Sequence, residues 1–140
     1  MFNITEFASE LNELTKWQET PEILGPSDYV RIVVRAMKQF FVDINHPDEY
    51  DPTLYTVDED DNTCYDRTFA LDEEVYIMTL CKIEFFKRVQ TDVNNAFGYK
   101  TDALTVTNAD KPYANLQNTL ADLDLERRRN FNKMIRYTLG

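Results

Sequence analysis

Glycine is scarce in this chain, with three residues in 140, and only five prolines accompany it. So few turn formers argue against many short strands and favour long helices. The glycines stand at 25, 98 and 140, too scattered to form a phosphate-cradling loop. The single histidine, His46, has no adjacent nucleophile, which argues against a Ser-His or Cys-His centre. Cys64 and Cys81 form no CxxC pair and do not complete a metal site with one histidine, so they are expected to be reduced thiols of an intracellular protein. No window approaches the roughly 20 apolar residues that a membrane span requires. The opening MFNITEFASELNELTKW has three acids before its first lysine and no continuous apolar core, so neither a secretory signal nor a transit peptide is expected. The expectation is a soluble, non-enzymatic protein made in a cytoplasm, with no cofactor and no membrane partner.

What the chain does hold is apolar and acidic. Hydrophobic residues make up 43% and aromatics 13%, enough for one domain to bury a core without staples. The net charge of -10 is unevenly placed. Residues 1–42 carry four basic and six acidic side chains, a balance of -2. Residues 43–74 carry one basic against twelve acidic, or -11, and residues 75–140 carry ten against seven, or +3. A protein that wraps duplex DNA presents a basic face, so sequence-independent DNA binding is disfavoured.

Apolar periodicity sets out a mainly α fold: a small helical bundle with a long buried central helix, a long C-terminal helix and an acidic extended or hairpin insertion. A first amphipathic helix is expected over 4–17, with Asn3 as N-cap and Ile4, Phe7, Leu11, Leu14 and Trp17 on one face. The Pro-rich connector 18–27 follows it, so residues 1–20 are expected to pack on a neighbour, apart from a connector domain over 21–140. Ser27 is expected to cap a helix over 28–45, whose apolar stripe runs from Tyr29 to Ile44. His46, before Pro47, is expected at the surface or at that helix's C-terminus. Asp72 is expected to cap the central helix, which is apolar on nearly every face from Val75 to Phe86 and stops at Gly98. Residues 105–107 suit a brief extended segment, and Asp110 and Pro112 are expected to open a last helix over 112–137. Its apolar repeat breaks at Arg127, so its basic end, 126–140, is expected to project or dock elsewhere.

The stretch DEDDNTCYDRTF, 58–69, invites a calcium reading, since Asp58, Asp60, Asn62 and Asp66 fall at loop positions 1, 3, 5 and 9. Thr63 stands where the loop needs glycine and Phe69 where it needs a closing glutamate. The segment LYTV before it is β-branched and aromatic, so an acidic turn between two extended segments within 48–70 is expected instead. Here the acid supplies charge and not ligation. Arg127, Arg128, Arg129, Lys133 and Arg136 form the basic counterpart. Acid and base that fail to meet inside one subunit can meet head to tail between subunits, closing a ring. The candidate interface therefore comprises these five cations with Asp58, Asp60, Asp61 and Trp17. Asp58, Glu59, Asp60, Asp61 and Asp66 are the acids expected to face a channel or a partner.

The order SDYVRIVVRAMKQFF, then FALDEEVYIMTLCKIEFFKRVQ, then YKTDALTVTNADKPYANLQNTLADLDLERRRNF resembles the head-tail connector, or adaptor, proteins of tailed bacteriophages. The likeness spans roughly residues 26–138. It implies a virion structural protein at the head-tail interface, forming a homo-oligomeric ring that commonly has twelve subunits. Such a ring docks on a portal protein, meets a downstream tail or stopper protein and continues the channel for genomic DNA without sequence-specific binding. Carboxylates lining a channel would repel phosphate and keep DNA from sticking. A competing reading, from the charge alone, is a small acidic DNA mimic that occupies a nucleic-acid-binding enzyme.

Overall fold

A computed structural model describes the backbone of residues 1–15, 24–98 and 107–139, and side chains within 1–15, 24–91 and 117–135. Among the described residues four α-helices carry the fold: α1 (Ile4–Leu14), α2 (Pro26–Asp43), α3 (Leu71–Gly98) and α4 (Thr107–Leu139). Between α2 and α3 lie two 3₁₀ turns and a hairpin of β2 (Tyr55–Val57) and β3 (Thr63–Tyr65). A two-residue strand β1 (Phe2–Asn3), for which the sequence carries no signal, pairs antiparallel with β3 and completes a sheet of order β1-β3-β2. The architecture is the expected helical bundle with an inserted acidic hairpin.

Helix α1 begins as its sequence dictates. The Asn3 side chain accepts the Glu6 N–H at 3.0 Å, and Ile4, Phe7, Ala8 and Leu11 are buried. Those side chains enter the chain's own core beside Ile32, Val33, Phe40 and Phe41 of α2. The expectation that this face awaits a neighbour is therefore corrected. Burying Ile4, Phe7 and Leu11 contributes on the order of 1.5–3 kcal/mol each, and β1, tied to β3, delivers α1 to that position. The expected residues 16 and 17 of this helix, Trp17 included, lie outside the described residues.

Helix α2 starts two residues earlier than expected. Gly25, not Ser27, is the cap: Pro26 occupies the first turn, where its missing N–H costs nothing, and Asp28 accepts the Gly25 N–H at 3.0 Å. Its other end closes as a Schellman motif. Asn45 adopts a left-handed φ of 63°, its N–H reaching Val42 O and the His46 N–H reaching Phe41 O. His46 itself is exposed, as expected.

Helix α3 is the centre of the bundle. Tyr76, Ile77, Met78 and Thr79 are buried in succession, and Cys81 is buried beyond the half-buried Leu80, because α2 packs on one side and α4 on the other. Its cap also differs from expectation: the Glu74 N–H bonds Ala70 O and the Glu73 carboxylate accepts the Ala70 N–H at 2.9 Å, so Ala70 takes the role assigned to Asp72. Asp72, Glu73 and Glu74 fill the first turn, where anions favour the dipole. Helix α4 opens at Thr107, earlier than the expected 112, so Thr107 is helical; residues 105 and 106 lie outside the described residues.

Aromatic rings weld the sheet to the helices. Phe2 meets Phe7 at 4.9 Å and Phe69 at 5.1 Å, and Phe69 in turn meets Phe40 edge-on at 5.5 Å. Each such pair adds about 0.5–1.5 kcal/mol beyond its buried area.

Candidate interaction surfaces

The acidic turn is built by one of its own carboxylates. Asp58 accepts N–H bonds from Asp60 at 2.9 Å and Asn62 at 2.8 Å, together with the Asn62 amide at 3.2 Å. The Asn62 N–H bond is the main reason its pKa lies below the ordinary range. The Asp58 N–H returns a bond to Asn62 O, and Asp61 takes a left-handed φ of 61°. This is a three-residue hairpin loop, and aspartate tolerates the left-handed position that it demands. Asp58 is thus a turn organiser and not the outward-facing acid expected of it. Glu59, Asp60 and Asp61 are the exposed carboxylates of the tip, and Asp66 is exposed at the far end of β3. Among the described residues, no group of three His, Cys, Asp or Glu side chains is placed to hold a metal ion.

A tyrosine cluster, not visible as a motif, anchors the insertion. Tyr50 stacks on Tyr65 at 6.1 Å with planes 5° apart, its hydroxyl 2.8 Å from that of Tyr55. Burial, then the Tyr50 hydrogen bond, pushes the Tyr55 phenol up. The Tyr65 hydroxyl accepts the Asp51 N–H at 3.0 Å, and Lys38 of α2 sits 5.5 Å over the Tyr50 ring. Arg67, the one cation of the acidic segment, lies 4.7 Å over Phe41 and pairs with Glu49 at 3.3 Å. The tip is therefore carried on a fixed platform. Cys64 lies beneath it, its thiol pKa raised by burial first and by Asp58 second; Cys81 is raised by burial in the core.

Helix α4 divides the basic run between two faces. Arg127, Asn130, Phe131 and Met134 recur at helical spacing and turn toward α3: Phe131 meets the Tyr76 ring at 5.6 Å, Asn130 donates to Thr79 Oγ1 at 3.0 Å and Met134 is buried. Residues 127–134 thus pack on α3, against the expectation that this half projects or docks elsewhere, and the side chains of 136–140 lie outside the described residues. Arg127 lies against the Tyr76 phenol and donates to Asp124 at 3.1 Å, so it is an internal link. Arg128, 67% exposed, pairs with Asp124 at 3.2 Å. Arg129 and Lys133, at i and i+4, share the outer face and are exposed, with no ion pair among the described residues. The side chain of Arg136 lies outside the described residues.

Acid and base are thus separated within the subunit. The hairpin packs against α1, α4 packs against α3, and no ion pair among the described residues joins them. Comparison with protein-family models, curated proteins and solved structures finds no match for this chain.

Proposed function

We propose that this chain is a non-enzymatic assembly subunit, a connector of the phage head-tail type whose copies associate head to tail into a ring. The observation that carries the reading is the pair of separated, exposed charges: Glu59, Asp60 and Asp61 on the hairpin tip, and Arg129 and Lys133 on the outer face of α4. Each surface suits the other on a second copy, and a heterologous contact of that kind closes into a ring when its rotation permits. The resemblance in helix order supports the same reading and supplies the context of a portal, a tail or stopper protein and passing DNA. In such a ring the tip carboxylates serve either as a subunit contact or as a repulsive lining for DNA.

Mass by light scattering, at low and high salt, alone and mixed with a portal protein encoded beside it, tests the proposal. A ring-sized species that dissociates with salt, or recruitment to the portal, is the expected result. A monomer indifferent to salt and portal sinks it, and tight capture by a nucleic-acid-binding enzyme would then favour the acidic mimic. That mimic wants acids spread over one surface, whereas Glu59, Asp60 and Asp61 are gathered at the hairpin tip and Asp48, Glu49 and Asp66 lie away from it.

A further inference from the structure

The sheet has one finished side and one open side, as its hydrogen-bond register shows. The Asp58 N–H bonds Asn62 O at 3.0 Å and the Asp66 N–H bonds Leu54 O at 2.9 Å. With Thr56 opposite Cys64, the bonded pairs are those of residues 54 with 66, 56 with 64 and 58 with 62. Antiparallel alternation then turns the N–H and C=O of Tyr55 and Val57 away from β3. On the other side of β3 the same groups have partners: Phe2 lies opposite Tyr65, and the Thr63 N–H reaches Thr5 Oγ1 at 2.8 Å. No strand among the described residues lies beyond β2, where Thr56 is exposed and Val57 is 67% exposed.

We propose that the β2 edge receives an extended basic segment of a partner protein, added as a fourth strand. Outward N–H and C=O groups give a strand its main-chain bonds, and an exposed Val57 gives it an apolar contact. Charge selects which strand. Glu59, Asp60 and Asp61 stand at the end of this edge, so an acidic segment is repelled there and a Lys- or Arg-bearing one is drawn in. The same charge keeps a chain of net -10 from pairing edge to edge with itself. The platform under the edge is preformed by Tyr50, Tyr55 and Tyr65, so little ordering is required on binding. This inference stands apart from the ring, because a monomer presents the same edge.

The probe is a synthetic peptide alternating Lys or Arg with Val and Thr, titrated onto the full chain by fluorescence anisotropy. Its control is the same peptide N-methylated at alternate amides, which keeps the charge and cannot pair as a strand. The expected result is saturable binding that the control loses by roughly tenfold or more, with slowed hydrogen exchange at the Tyr55 and Val57 amides. Val57→Pro, which removes one outward N–H at an edge position that tolerates proline, should weaken binding while the circular dichroism spectrum is kept. Equal binding of the two peptides would reduce the contact to diffuse charge attraction and overturn the proposal. Absence of binding, or unchanged exchange at Tyr55 and Val57 in the complex, would overturn it as well. Ring formation in the scattering experiment is read separately and decides neither outcome.

Discussion

The Tyr76 hydroxyl of α3 donates a hydrogen bond to the Asp43 carboxylate at the end of α2, while Arg127 of α4 lies against the same phenol. One buried side chain thus links three helices, by a hydrogen bond to Asp43 of α2 and by ring contact with Phe131 of α4. Asp43 is further held by Gln39 at 2.7 Å and Arg127 by Asp124, so each partner is satisfied. A buried polar group so matched specifies one helix arrangement, where apolar packing alone permits sliding.

Tyr76→Phe should therefore cost about 1–2 kcal/mol in urea denaturation, because Asp43 loses a donor in a half-buried setting. The phenol pKa is pushed above its ordinary 10.0 by burial first and by the Asp43 bond second. The folded state then holds this proton more tightly than the unfolded chain. Its contribution is complete below pH 10 and lost as pH rises toward the folded value. Tyr55 acts in the same direction. Alkaline unfolding followed by tyrosinate absorbance should start above about pH 10 and be less steep in Tyr76→Phe.

Leu11→Ala tests the placement of α1. Leu11 is fully buried, and its truncation leaves a cavity that should cost about 2–5 kcal/mol of subunit stability. A thermal or urea melt of the dissociated protein reads it. Were α1 reserved for a neighbour, that melt would not move and only the association would weaken.

Asp58 gives the hairpin an acid-labile element. Its folded pKa lies below the ordinary 3.8, chiefly through the Asn62 N–H bond. The unfolded chain therefore takes up the proton first as pH falls. The stabilisation is present above pH 3.8 and lost as pH drops through the folded value. The protection of the Asn62 amide against hydrogen exchange, relative to its intrinsic rate at each pH, should fall over that window in the native protein. In Asp58→Ala that protection should be low throughout.

The basic run should split by function under mutation. Arg127→Gln removes an internal link and should lower stability by about 1 kcal/mol, a value discounted for partial solvent exposure. Arg129→Gln with Lys133→Gln leaves the core untouched. That pair should keep the melting temperature within about a degree, as surface substitutions generally do, and weaken self-association at low salt. If the double variant assembles like the native protein in light scattering, the outer face of α4 is not the subunit contact.

Local chemistry made much of this fold legible in the sequence. The 3.6-residue repeat of α2, the Asn3 cap, the all-round apolar span of α3 and the acidic hairpin were each written in short windows, because each depends on neighbours a few residues apart. The misreadings arose where longer-range partners decide. Ser27 and Asp72 look like caps, yet Pro26 and the Glu73 side chain, acting with Gly25 and Ala70, set the starts of α2 and α3. Arg127 looks like a break in an apolar stripe. It is instead the polar member of that stripe, positioned to meet Tyr76, a residue 51 positions away in the chain.

Composition and periodicity alone determined that this would be a helical domain with its acid gathered in one insertion, because burial of apolar faces follows spacing. Only the tertiary structure decided which charges are spent and which are free. Asp58 and Arg127 turn inward to their own chain, while Glu59, Asp60, Asp61, Arg129 and Lys133 face solvent. The physical reason is that a side chain's partner is set by packing of distant segments, and hydrogen-bond geometry selects one carboxylate or guanidinium from several that look alike in the sequence. The open edge of β2 arose in the same way, since a strand's outward groups exist only once its register with β3 is fixed.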